Sequence, residues 1–206
     1  MRWLTFLLLP ISFQALSAEL DTLARIGAQM EQYPVVRSEF VQSKQMPALK
    51  RPLIMSGRFI FSRRHGVLWQ IEQPYRMSYV LGEERIIEIA ADGTRRDRGL
   101  RDVPGLAQVG RVFRAMIGAD MAALSELFEV NVKGGPDKWD IELKPRQAQL
   151  EQFLSGLQLT GGHFVESIRL NEASGATTQI RFRNTQGASV PNEAELQLFG
   201  QELRKP

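Results

Sequence analysis

Strand-length runs follow one another along this chain with few residues between them, and that spacing limits the fold more than any other feature. VVRSEFVQSKQ (35–45), LIMSGRFIFSR (53–63), VLWQIEQ (67–73), YRMSYVLG (75–82) and RIIEIAA (85–91) are separated by short connections, with Gly66, Pro74 and Gly82 as breaks. A parallel crossover needs a dozen or more residues, so these strands must pair as an antiparallel meander. A second series reads as strands at 128–134, 138–145, 155–162, 164–172, 177–184 and 193–199, with a short helical piece at 146–154. Two helical stretches frame the first series. Residues 19–33 place Leu20, Leu23, Ile26 and Met30 at spacings of three and four and end at Pro34. Residues 106–128 read as two short helices broken near Gly118, with Asp120 as N-cap of the second. No repeat or linker divides the chain. The expectation is mainly β with α: a single strongly curved antiparallel sheet of about eleven strands, carrying a few helices.

The first 18 residues stand apart. MRWLTFLLLPISFQALSA has Arg2, an apolar stretch broken by Pro10, and small residues before Glu19. It is too short to span a bilayer and reads as a signal peptide cut after Ala18, which leaves residues 19–206 as one domain. The chain has no cysteine, so there is neither a disulfide nor a cysteine to acylate after export. A periplasmic location is expected. The formal charge of +3 is too small to argue for nucleic acid. The basic run TRRDRGLRD (94–102) reads as a solvated loop.

A strongly curved sheet has a concave face lined by alternate residues. Its candidates here are Phe40, Met55, Phe59, Phe61, Val67, Trp69, Ile71, Tyr79 and Ile87. Side chains can fill such a face, helices can plug it, or it can be a pocket. Periodicity alone favours a dry core completed by the central helices, whose apolar side carries Val109, Val112, Phe113, Met116, Ile117, Met121 and Leu124. Arg63 lies in line with Phe59 and Phe61 at the end of its strand.

Catalytic chemistry is thin. The two histidines, His65 and His163, are far apart and read as loop residues. No nucleophile–base pair, phosphate loop or metal-ligand spacing occurs, so neither an enzyme nor a metal or cofactor site is expected.

The run from Gly57 to Pro74 resembles the signature of the LolA family of periplasmic lipoprotein carriers, G-x-φ-x-φ-x-R-P-x-x-F-x-W-x-φ-x-x-P with φ apolar. Gly57, Phe59, Phe61, Arg63, Trp69, Ile71 and Pro74 match it without a gap. Phe40 and Gln42 match a first-strand F-x-Q, and Pro145 and the run 169–184 match later motifs. The chain departs at Arg64 (for proline), Val67 (for an aromatic residue) and Asn171 (for aspartate). The resemblance implies an incomplete β-barrel with helices as a lid over a hydrophobic cavity. It makes the concave residues an acyl-chain lining, the central helices the lid, and Arg63 a latch that hydrogen-bonds to it. A surface ion pair is the alternative role for Arg63. It further implies a monomeric carrier of acylated lipoprotein or lipid between an inner-membrane donor and an outer-membrane acceptor. A different lipid cargo, including a polyene-type lipid, and an envelope sensor on the same scaffold are the competing expectations.

Overall fold

The computed structural model describes residues 13–82, 85–99, 115 and 121–200, excepting the side chains of 13–20 and 121. Helix α1 (Phe13–Met30) precedes strands β1 (Val35–Gln45), β2 (Leu53–Ser62), β3 (Gly66–Gln73), β4 (Met77–Leu81), β5 (Arg85–Ala90) and β6 (Arg95–Gly99). Helix α2 (Met121–Leu127) leads directly into β7 (Phe128–Gly135), and β8 (Lys138–Pro145) follows. The single turn of α3 (Ala148–Glu151), then β9 (Leu154–Gly161), β10 (Val165–Glu172), β11 (Thr177–Ala188) and α4 (Glu193–Leu198) complete the chain. The strands of the described residues form one open antiparallel sheet of 11 strands, in the order β6-β5-β4-β3-β2-β1-β11-β10-β9-β8-β7.

Two expectations need correcting. The basic run is not a loop: its residues 95–99 are β6, an edge strand exposed nearly throughout. Charged side chains suit an edge, because they discourage further strand pairing. Residues 193–199 do not form a strand. Asn192 accepts a hydrogen bond from the Glu195 backbone N–H, and the Glu195 carboxylate accepts from the Asn192 N–H, so a capping box starts helix α4. The alternation of Ala194, Leu196 and Leu198 hid this signal. The break and cap read at Gly118 and Asp120 lie outside the described residues, although α2 begins immediately after Asp120.

Register irregularities bend the sheet. They occur between Arg37 and Glu39, Ser56 and Gly57, Val165 and Ser167, and Asn171 and Glu172. At Gly57 the neighbouring strand comes so close that an added Cβ would sit 1.8 Å from the Gln70 carbonyl oxygen. Only glycine tolerates this approach.

Each face of the sheet carries a core. On the concave face Leu23 and Ile26 of α1 and Leu124 and Leu127 of α2 pack against Phe40, Phe59, Trp69, Ile141 and Leu157. On the convex face Phe199, just past α4, packs with Val35, Ile60, Leu68 and Val80. Ile87 belongs to this convex cluster, against the expectation that it faces inward. β5 is apolar on both faces, so alternation could not assign its parity, and it is Ile86 that faces the concave side with Leu81. Helix α4 is tied to the sheet by Arg37, whose Nε and Nη2 donate to Glu195 Oε1 and Oε2 at 2.5 and 2.7 Å. Burial works to raise the Glu195 pKa. The hydrogen bonds from Arg37 and the Asn192 backbone, with the Arg37 charge, outweigh burial and hold the carboxyl below its ordinary value.

Two predictions follow from these contacts. Gly57→Ala should destabilise the protein by about 1–3 kcal/mol or more, since backbone and not a side chain must move; urea denaturation checks this. Because the folded Glu195 pKa is depressed, its contribution is complete above the ordinary carboxylate range and is lost as pH falls through the folded value. Wild type should therefore lose stability more steeply than Glu195→Gln between about pH 5 and pH 3, as read from urea midpoints.

Candidate functional site

The concave face divides into an open part and a covered part. Cross-strand pairs set its rows: Phe59 opposite Trp69 and Trp69 opposite Tyr79, then Phe61 opposite Val67, Val67 opposite Leu81 and Leu81 opposite Ile86. Over β2 to β5 these rows form a groove of about 320 Å³, within the size range of small-molecule sites. Met55, Trp69, Ile71, Tyr79, Leu81 and Ile86 line it, with the Gln42 amide and the Tyr75 phenol as polar groups. Desolvation raises the Tyr79 pKa, helped by Tyr75 and Glu88.

Trp69 is the centre of the site. Its ring stacks on Phe40 at 3.9 Å between centroids and meets Phe59 and Phe182 edge-on at 5.9 and 6.4 Å. Aromatic pairs in these geometries add to area burial and fix ring orientation. Neighbouring strands of the same face thus flank Trp69 with aromatic rings.

Next to the groove, α1 covers the face. Met30, Phe59, Phe61, Phe164 and Phe182 surround a cavity of only about 30 Å³ there, room for one or two waters and not for a chain. The residues expected along one cavity therefore separate. Met55, Trp69, Ile71 and Tyr79 line the groove; Phe59 and Phe61 line the small cavity. Phe40 and Val67 are buried in the core, and Ile87 is on the convex side. Ile86 and Leu81 are lining residues that alternation missed. Of the expected lid residues, Leu124 is buried against the concave core. Val109, Val112, Phe113, Met116, Ile117 and the Met121 side chain lie outside the described residues.

The C-terminal end of α1 is pinned by polar contacts. Arg63 Nη2 donates to the Glu31 carbonyl at 3.0 Å, and the Arg63 backbone N–H to the Pro34 carbonyl at 2.9 Å. Gln29 Nε2 donates to the Gly162 and Pro136 carbonyls at 3.0 and 3.3 Å. The Tyr33 hydroxyl lies 3.1 Å from His163 Nε2. Within the described residues the Arg63 guanidinium thus holds α1 and not the central helices. His65 is half-buried with its ring 5.5 Å from Phe199, and burial together with Arg64 lowers its pKa. The described residues contain no cluster of metal-ligating side chains.

The open antiparallel sheet is the architecture that the Gly57–Pro74 resemblance implied; the central helices expected as its lid lie largely outside the described residues. The family model of outer membrane lipoprotein carrier protein LolA-like sequences matches residues 15–192. The chain belongs to this family. Among solved structures the LolA-like chain is similar to a DUF1329 family protein from Desulfovibrio piger, at 13% identity and a TM-score of 0.47 over 86% of this chain and 95% of that one. It is also similar to a LolA superfamily protein from Nitrosomonas europaea, at 7% identity, TM-score 0.45, 86% and 96% coverage. A third is the lipoprotein LppX from Mycobacterium tuberculosis, at 11% identity, TM-score 0.48, 85% and 98% coverage. No curated protein matches the chain. Membership of the family rests on the sequence match.

Removing the Arg63 donor tests the pin. A charge-assisted bond at an exposed carbonyl contributes about 1 kcal/mol, so Arg63→Leu should speed amide exchange in the last turn of α1 about fivefold. Exchange in β2 should not change, and Arg64→Leu should leave both segments as in wild type.

Proposed function

We propose that this protein is an exported, periplasmic carrier that shields the acyl chains of lipoproteins and moves them from the inner to the outer membrane. The observation that carries the reading is the groove over β2 to β5, apolar, open and floored by Trp69. Family membership supports it, and so does the N-terminal segment, which has the pattern of a signal peptide. In the described residues no helix is long and apolar enough to cross a membrane.

The physical demands on such a carrier match the arrangement. Each CH₂ moved out of lipid into water costs about 0.8 kcal/mol, so a multiply acylated cargo needs an apolar enclosure. The enclosure must also release, and therefore cannot bind with unlimited strength. The groove offers a ready surface, while Phe59 and Phe61 wait beneath α1. If α1 lifts, the polar contacts of Gln29, Tyr33 and Arg63 are exchanged for water at small cost and the apolar area open to a chain grows. Loading and unloading then trade one cover, the helix, for another, the chain. The reading includes no catalysis; among the described residues the polar groups lining the groove are the Gln42 amide and the Tyr75 and Tyr79 phenols.

The experiment is direct. Material extracted from protein purified out of the periplasm should contain lipoprotein by mass spectrometry. Titration with a fatty-acyl probe should shift the tryptophan emission of wild type, and Trp69→Phe should remove most of the shift. Bound lipid without protein would transfer the reading to another cargo. A spectrum unmoved by demonstrably bound probe would place the acyl site away from Trp69.

A further inference from the structure

We propose that the end of the sheet carrying the β1–β2, β3–β4 and β10–β11 turns docks on an anionic lipid bilayer. The proposal builds on the reading of the groove as an acyl-chain site and says where the protein meets the membrane that such chains leave or enter.

Apolar exposure is concentrated at this end. Six large apolar side chains are well exposed among the described residues, and four of them, Leu53, Ile54, Tyr75 and Phe153, belong to it. Leu53 and Ile54 open β2, directly after the β1–β2 turn, and are 49% and 52% exposed. Tyr75 sits in the β3–β4 turn, 49% exposed, with its hydroxyl 3.7 Å from Met55 Sδ. Phe153, 46% exposed, precedes β9, and its carbonyl accepts from the Ala173 N–H of the β10–β11 turn. Pro47 of the β1–β2 turn lies against Gly175 of that same turn. The four residues therefore belong to one continuous rim of contacting turns, and not to scattered positions. Single exposed apolar residues are ordinary, whereas a grouped set marks an interaction surface.

Charge selects the occupant. Lys50 and Arg51 in the β1–β2 turn and Arg76 in the β3–β4 turn are exposed, and none belongs to an ion pair among the described residues. Lys44, nearby on β1, is by contrast neutralised by Glu172 at 2.5 Å. Apolar side chains beside unpaired cations suit the boundary between acyl chains and anionic headgroups. The rim is also where the groove opens. Leu53 lies two residues before Met55 on the same face of β2, and Tyr75 lines the groove itself. A chain passing between bilayer and groove at this end would travel along apolar side chains. The opposite end has Arg63, Arg64 and the 70% exposed Val190, but Arg63 is committed to the Glu31 carbonyl and Val190 is a lone apolar side chain.

Flotation with vesicles tests the proposal. Purified protein should bind vesicles of phosphatidylcholine containing phosphatidylglycerol, bind phosphatidylcholine alone far less, and dissociate as salt is raised. Lys50→Ala with Arg51→Ala should weaken binding about 30-fold, at about fivefold per cation. Leu53→Ser with Ile54→Ser should also weaken it, and Val190→Ser should not. All variants share the same N-terminal segment, so that segment cannot account for a difference between them. Binding of a fatty-acyl probe, measured in parallel, reports on the fold and on the groove separately. Full probe binding without vesicle binding overturns the docking surface and leaves the carrier reading intact. Equal affinity for both vesicle types, or an equal loss with Val190→Ser, also overturns it. Capture of a protein through Leu53 and Ile54, with no vesicle binding, would overturn it in favour of a protein-docking rim. Vesicle binding that follows the pattern in a protein that takes no acyl probe would support the surface and remove the carrier reading.

Discussion

Everything in this molecule depends on the pairing of β1 with β11. Strands β1 to β6 and β7 to β11 each form a meander, and either one alone would expose an apolar face and an unpaired edge. Their ladder runs from Val35 opposite Ala188 to Gln45 opposite Thr177 and turns two meanders into one sheet. It also sets Phe40 opposite Phe182, one from each meander, and both rings touch the Trp69 cluster. The contact of Phe182 with the Trp69 cluster is therefore a product of the longest-range strand pairing in the sheet. Contacts at that separation form slowly, since the loop must close before they stabilise anything.

Given that sheet, the covering elements divide the labour by chemistry. The concave face is closed by apolar packing in its middle and by polar contacts at the end of α1. Apolar contacts supply most of the stabilisation, and the polar ones fix position at little net cost. A helix held in this way is anchored in one place and exchangeable with solvent at another. On the convex side the arrangement is tighter, because the short helix α4 brings both the Arg37–Glu195 pair and the Phe199 ring to the sheet.

Much of this was legible in the residues, for physical reasons. Strands with one apolar face announced themselves, and the ten outside β6 all occur where alternation placed them. The failures came where alternation carries no sign. β5 has isoleucines on both faces, so Ile87 was assigned inward when it is Ile86 that faces the groove. β6 is charged on both faces and looked like a loop; its backbone pairing with β5, not its side chains, makes it a strand. In α4 the pattern of two was coincidental, and the readable sign was local, the pairing of Asn192 with Glu195. That Arg63 would bond to a helix came with the family resemblance, against the alternative of a surface ion pair, and its guanidinium donates to the Glu31 carbonyl just past α1. Which helix it would reach depended on how α1 lies across the sheet, and no local pattern encodes that.

The charge on β6 has a consequence for how the protein behaves in a crowd. An open sheet invites a second copy to extend it. Two β6 strands meeting antiparallel about their midpoint would set Asp97 against Asp97 and Arg96 against Arg98. Each directly opposed charged pair would then be between like charges, at the spacing where such pairs repel most. The strand that ends the sheet on this side thus disfavours pairing with its own image, and an edge-to-edge dimer through β6 is held off by charge alone.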